Sequence, residues 1–358
     1  MIRVRFTGIS AIIPASMKIS ELGEFGLIDL IDRVVGASKR TSSAWRRLKV
    51  GIGDDCAVWG GSGSAELATT DTLVQNVHFR PGIITWRELG WKSLAVNLSD
   101  IASMGGSPTY VLVSLSLPDS IEVNDIVDFY RGMMSLANRF GVAIAGGNIA
   151  QSSLIVITLT VMGTLGKGVK SPLLRSAAVP GDLIAVTGNP GLSAGGLRML
   201  VTGMGLDAHT ARLFRRAHNM PVPRVIEGLA LRQVGLKCAI DVSDGLVGDL
   251  AHICQMSGVS AVIRLEKLPA HRRLKSVFPA DYLELVLYGG EDYELLFTVK
   301  PSVVPLVKRT LKCPVTVIGE IVERGVDMVT VVDLTGKAVP HGLSGWEHFR
   351  SGAIVSGR

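Results

Sequence analysis

The chain has 358 residues, 47% of them hydrophobic and 19% charged, which suits one or two packed domains and excludes a disordered chain. Its net charge of +6 is dispersed in short knots such as Arg46-Arg47, Arg215-Arg216 and Arg272-Arg273, without the concentrated basic face of a nucleic-acid binder. No apolar run reaches the ~18 residues of a membrane span, and Cys56, Cys238, Cys254 and Cys313 form no CxxC pair, so thiolate metal sites and disulfide scaffolds are both disfavoured and a cytoplasmic setting is expected.

Residues 1–16 carry Arg3 and Arg5 before a short apolar run, a poor signal peptide, and read as a flexible extension or a misassigned start ahead of Met17. Leu27, Ile31, Val34 and Val35 repeat at helical spacing and predict an amphipathic helix over 21–35, ended by Gly36. Gly51-Ile52-Gly53-Asp54-Asp55 follows a serine-rich stretch and reads as a turn. A strand over 65–72 delivers Asp71. A helix over 88–104 places Leu94, Leu98 and Ile101 on one stripe and the three-apart pair Asn97 and Asp100 on another. Alternation predicts strands over 110–117 and 154–163, with a helix over 126–139 between them.

The breaker-rich run Gly166-Lys167-Gly168-Val169-Lys170-Ser171-Pro172 suggests a domain seam, giving domains over 17–168 and 169–358. Beyond it come a strand over 183–187, a glycine-rich turn entering a helix, and the turn 241–245 at the start of the helix carrying Leu246, Leu250, Ile253 and Cys254. A further strand is predicted over 293–299. Both halves are thus of α+β type.

Carboxylates recur at these turns and element ends: Asp54-Asp55, Asp71, Asp100, Asp241, Asp244 and Glu291-Asp292. Oxygen donors without His or Cys suit a hard cation such as Mg²⁺, and a distributed set would hold several ions around a polyphosphate. No Walker-type GxxxxGK[ST] is present, and Gly188-Asn189-Pro190-Gly191 does not satisfy GxGxxG, so P-loop and Rossmann cradles are disfavoured.

Six segments in series, spanning about residues 20–350, resemble the thiamine-monophosphate kinase family. They are Gly51-Ile52-Gly53-Asp54-Asp55-Cys56-Ala57, Thr69-Thr70-Asp71-Thr72-Leu73-Val74, the 92–104 helix with Ala95-Val96-Asn97-Leu98-Ser99-Asp100, Asp241-Val242-Ser243-Asp244-Gly245-Leu246, Gly289-Gly290-Glu291-Asp292-Tyr293-Glu294-Leu295 and Gly345-Trp346-Glu347-His348-Phe349. The resemblance implies the two-domain PurM-like fold of the aminoimidazole-ribonucleotide-synthetase superfamily, α+β in class, with an N-terminal dimerising domain and a homodimeric assembly. It implies direct in-line phosphoryl transfer from ATP to thiamine monophosphate, with several Mg²⁺ ions and no catalytic nucleophile.

The resemblance further implies a metal shell of Asp55, Thr69, Thr70, Asp71, Asp100, Asn148, Asp241 and Asp244. It implies nucleotide contacts from Tyr130, Gly147, Asn148, Arg175 and Ser243, and thiamine-phosphate contacts from His78, Glu291 and Trp346. One departure is Asn148, in Gly146-Gly147-Asn148-Ile149, where the family carries Asp; an oxygen donor remains but a charge is lost, so weaker Mg²⁺ binding is expected. Two other readings share much of this pattern: a sibling ATP-using enzyme of the superfamily, and a catalytically weak paralogue that senses nucleotide or thiamine phosphates.

Overall fold

The computed structural model describes residues 47–60, 63–169 and 171–339, together with Gly26 and Ile28. Both of those isolated residues are helical; the rest of the 21–35 helix, the 1–16 extension and Trp346 lie outside the described residues. No helix among the described residues is long and apolar enough to cross a membrane.

The first half builds a six-stranded sheet from β1 (Leu48–Val50), β2 (Ala57–Gly60), β3 (Ala65–Val74), β4 (Ser107–Leu117), β5 (Ala143–Gln151) and β6 (Val156–Thr164), in the order β1-β2-β3-β6-β4-β5. Alternation sets the faces: Val111, Val113 and Leu115 of β4 are buried while Tyr110 and Leu112 stand open. Helices α1 (Trp86–Ser103) and α2 (Val123–Phe140) belong to this half. A capping box starts α1, with Glu88 N–H donating to Thr85 Oγ1 and Thr85 N–H to Glu88 Oε2. The two helices cross at glycines. A Cβ on Gly90 would stand 1.8 Å from Phe129 O, and one on Gly132 would stand 1.8 Å from Arg87 O.

The second half is another six-stranded sheet: β7 (Leu183–Thr187), β8 (Ala239–Asp241), β9 (Ser260–Arg264), β10 (Leu295–Val299), β11 (Val315–Val322) and β12 (Val329–Val332), in the order β12-β9-β11-β7-β10-β8. Helices α3 (Leu192–Thr202), α4 (Ala208–Asn219), α5 (Val225–Gln233), α6 (Leu246–Ser257), α7 (Arg272–Val277), α8 (Tyr282–Tyr288) and α9 (Val304–Thr310) accompany it. Among the elements absent from the sequence reading are helix α4 and the strands β9, β11 and β12; β9 and β12 are only five and four residues long, too short for alternation to stand out.

The halves meet along α1. Trp91 Nε1 donates to Pro221 O at 2.6 Å, and Arg215 grips both oxygens of Glu88 at 2.7 Å. Arg232 donates to Leu165 O at 2.8 Å. An anchor of this breadth fixes α1 against both sheets, and α1 carries half of the site.

Candidate functional site

Three carboxylates converge where the halves touch. Ligand oxygens of Asp55, Asp100 and Asp241 all lie within 4.8 Å of one another. Asp55 comes from the loop between β1 and β2, Asp100 from α1 and Asp241 from the end of β8. Helix α1 organises all three through its own spacing. Asn97, Asp100 and Ser103 follow at steps of three, and Ser99 and Ser103 at a step of four, so these side chains share adjoining faces. Ser99 Oγ donates to Asp241 Oδ2 at 2.6 Å, and Ser103 Oγ donates to Asp55 Oδ2 at 2.6 Å. From β3, Thr69 Oγ1 donates to Asp100 Oδ2 at 2.5 Å, and Asp71 N–H donates to Asn97 Oδ1 at 3.1 Å.

Crowding like charges out of water disfavours ionisation. Burial, then Asp55, pushes the Asp241 carboxyl up to about 8 and Asp71 up to about 6. Burial, then Asp71, Asp241 and Asp55, raises Asp100 well above the carboxylate range. Beside the trio, burial and then Asp55 lift Asp54 to about 6. One cation already answers this charge: Arg175, on the short 3₁₀ turn Arg175–Ala177, pairs with Asp55 Oδ1, while its Nε is buried without a hydrogen-bond partner. The neighbouring Cys56 thiol is pushed up, by burial first and then by Asp100 and Asp55, so it stays protonated and is a poor nucleophile.

The loop after β8 is held from behind. Asp249, in the first turn of α6, accepts from Ser243 N–H at 3.1 Å, Asp244 N–H at 3.2 Å and Gly245 N–H at 3.1 Å. This satisfies two loop donors and the N-cap N–H of the helix and keeps the Asp241–Asp244 turn rigid. Next to it, Glu291 N–H donates to Ser243 O at 2.7 Å and Tyr293 N–H to Val242 O at 2.8 Å. His78 lies in the turn after β3, its Nδ1 accepting from Val74 N–H at 3.0 Å, and its charge is felt at Glu291.

Several residues expected in the site therefore gather: Asp55, Thr69, Asp71, Asp100, Arg175 and Asp241, with Ser243 and Asp244 on the adjoining turn and His78 and Glu291 beyond. Others stand apart. Thr70 points to the opposite sheet face, its hydroxyl on Leu159 O at 3.0 Å. Asn148, on β5, pairs with Ser114 of β4, and β5 lies three strands from β3, so roughly 14 Å away at ~4.8 Å per strand. It occupies the register row of Thr72 and Thr158, whose hydroxyls meet at 2.8 Å on the uncovered face. Gly147 lies against β4, where a Cβ would stand 1.9 Å from Val113 O, so only glycine fits. Tyr130 lines a shallow hollow on α2 with Ile126, Val127, Arg131 and Met134.

The sequence reading missed Ser99, Ser103 and Asp249 as site builders. The steps of three and four along α1 were the available signal for the serines. The signal for Asp249 was an acid in the first turn after a Gly-ended loop.

Comparison with known proteins agrees with this geometry. Family models described as AIR synthase related protein, N-terminal domain, and AIR synthase related protein, C-terminal domain, match residues 53–165 and 179–332. The thiamine-monophosphate kinase of Bacillus subtilis (strain 168) is 36% identical over 331 residues, covering 90% of this chain and 99% of that protein. The Escherichia coli (strain K12) thiamine-monophosphate kinase is 38% identical over 334 residues, covering 91% and 98%. Among solved structures, AaThiL complexed with AMPPCP and TMP superposes with a TM-score of 0.79 at 34% identity, covering 93% of this chain and 99% of that one. With two matched domains and relatives aligned nearly end to end, the chain belongs to the AIR synthase related family and, within it, to the thiamine-monophosphate kinases.

Proposed function

We propose that this chain transfers the γ-phosphoryl group of ATP to the phosphate of thiamine monophosphate, releasing ADP and thiamine diphosphate, as a cytoplasmic homodimer. The observation that carries the reading is the carboxylate trio gathered from both halves of the chain, with Arg175 beside it. The ligands of the solved relative, AMPPCP and TMP, fit the same pair of substrates.

The donor set fits Mg²⁺. It is made of oxygens alone, and its Asp100 and Asp241 carboxyls are held above their ordinary range by burial and mutual repulsion, a cost that a bound dication would relieve. Asp55, Asp100 and Asp241 would hold it, with Asp71, Thr69 and Asp244 near enough to share in further ions or their waters. When bound, Mg²⁺ supplies charge neutralisation for the nucleotide's phosphates. Asn148, standing apart, is assigned to a separate ion or to the nucleotide, together with Thr70, Gly147 and Tyr130.

The chain's own residues position and exclude. An acceptor phosphate oxygen attacks the γ-phosphorus as the bond to the β,γ-bridging oxygen breaks, and the electron pair leaves with ADP. Arg175 stands ready to exchange Asp55 for phosphate oxygens, bringing a fixed positive charge to the transferring group. Asp249 keeps the Ser243–Asp244 turn rigid against the nucleotide. Cys56 remains a thiol, in keeping with transfer that forms no phosphoenzyme. His78, Glu291 and Trp346 are assigned to the thiamine phosphate, Trp346 by resemblance alone.

The uncovered face of the first sheet supports the dimer. Tyr110 is 54% exposed, with Leu112 and Met162 beside it. An apolar, open-edged sheet of this kind ordinarily meets a partner.

Incubating the purified protein with ATP, MgCl₂ and thiamine monophosphate and resolving the products tests the reading. Equimolar ADP and thiamine diphosphate are expected. Tight binding of both substrates without diphosphate would defeat the kinase assignment and favour a sensor.

A further inference from the structure

Lys92 has no place in the chemistry described so far, yet it is among the largest fully buried side chains of the described residues. It sits two turns before Ser99 on the face of α1 that looks across to the second half. Ser99 reaches Asp241, and Lys92 Nζ reaches Glu291 Oε1 at 2.8 Å. Apart from that ion pair, Nζ makes no hydrogen bond. Glu291 keeps about a quarter of its side chain open, 26%. Its other oxygen, Oε2, lies 3.4 Å from His218 Nδ1, which in turn is 3.1 Å from Ser193 Oγ.

The backbone beneath Glu291 is costly as well. Glu291 has φ 62° and Tyr293 φ 51°, left-handed conformations that neither side chain favours. Strain of this kind costs on the order of 1 kcal/mol or more per residue and persists where surroundings impose it. Here the imposing contacts are the hydrogen bonds from Glu291 and Tyr293 to the Asp241–Asp244 turn. A buried ammonium adds a desolvation penalty that an apolar side chain of similar size would avoid. Two expensive features thus converge on one carboxylate, and the broad Trp91, Glu88 and Arg232 contacts already hold the halves together without either.

We propose that Lys92 is a positioning residue: with His218 behind it, it fixes and orients the Glu291 carboxylate so that its open edge faces the phosphorylated substrate beside the Asp241–Asp244 turn. This rests on the kinase reading of the site. Burial would push Glu291 up, but Lys92 outweighs it and holds the carboxylate below its usual range. Burial and then Lys92 bring His218 down to about 4, so it serves as a neutral partner. Lys92 acts through Glu291 and touches no reacting atom.

The test is Lys92→Met, Glu291→Gln and the double variant in the full-length protein, with binding read by calorimetry and turnover separately. For Lys92→Met, Kd for thiamine monophosphate should rise at least about tenfold, while Kd for AMPPCP stays within about twofold. At saturation of both substrates, kcat should fall less than about threefold. The double variant should bind thiamine monophosphate no more weakly than the worse single one, because both remove one device. Should Lys92→Met be unstable, Lys92→Gln replaces it, keeping a donor toward Glu291 and giving a smaller loss of the same pattern. A Lys92 variant that is folded and binds thiamine monophosphate within about twofold of wild type overturns the proposal. So does a double variant whose loss equals the product of the single losses. Binding without product in the wild-type protein would defeat the kinase reading and leave the binding comparison intact.

Discussion

Asp241→Asn should make the metal-free protein more stable while abolishing its response to Mg²⁺. The folded-state carboxyl stands at about 8 against an ordinary 3.8, so the native state holds a proton that the unfolded chain releases. Stability from this group is therefore greatest at low pH and is lost as pH rises from about 4 to about 8. At ~1.4 kcal/mol for each tenfold change in proton affinity, the penalty at about pH 8 is at most about 6 kcal/mol. Relaxation and proton sharing with Asp100 reduce that to roughly 2–3 kcal/mol, in line with the high effective dielectric of real sites. An amide keeps an acceptor for Ser99 and carries no charge, so it recovers most of this. At about 2–4 °C per kcal/mol for halves of this size, melting in EDTA at about pH 8 should rise by roughly 5–10 °C. Saturating MgCl₂ should stabilise the wild type and leave the variant unmoved. Differential scanning fluorimetry with and without EDTA reads both effects. A variant that melts below wild type in EDTA, or gains as much from MgCl₂, would refute the charge-crowding account.

Gly90→Ala should cost more than about 3 kcal/mol in chemical denaturation, because the added methyl meets Phe129 O at 1.8 Å and must drive α1 from α2; unchanged stability would show that the helices slide freely. Asn148→Asp should lower the MgCl₂ concentration for half-maximal turnover by about threefold or more, with melting in EDTA unchanged, since the residue stands apart from the trio. An unchanged magnesium requirement would remove Asn148 from metal binding.

The elements were most legible where burial is one-sided. The alternation of Val111, Val113 and Leu115 announced β4, and the 88–104 periodicity announced α1 to within two residues at its start. The carboxylates themselves were legible because acids beside glycines at element ends have few structural uses in such number. Their grouping was less so. Asp55, Asp100 and Asp241 are separated by 45 and then 141 positions in the chain, and only the packing of α1 against both sheets shows that they meet. Thr69 and Thr70 are adjacent in sequence, yet the pleat sends them to opposite faces. Lys92 reads as an ordinary charge on an amphipathic helix until Glu291 appears beneath it.

A single helix explains why the two halves form one site. Along α1, Lys92 and Ser99 engage loops of the second sheet, Asn97 and Asp100 engage β3, and Ser103 engages the Asp55 loop. A rotation of α1 by one residue, about 100°, would take all five contacts out of reach together. The glycine crossing with α2 and the Thr85 capping box prevent that rotation, far from any carboxylate of the trio. Cooperative loss is the consequence: perturbing Gly90 should weaken substrate binding through Lys92 and metal binding through Asp100 in the same measure. Independent changes in the two affinities would mean that the loops, and not the helix, set the geometry of the site.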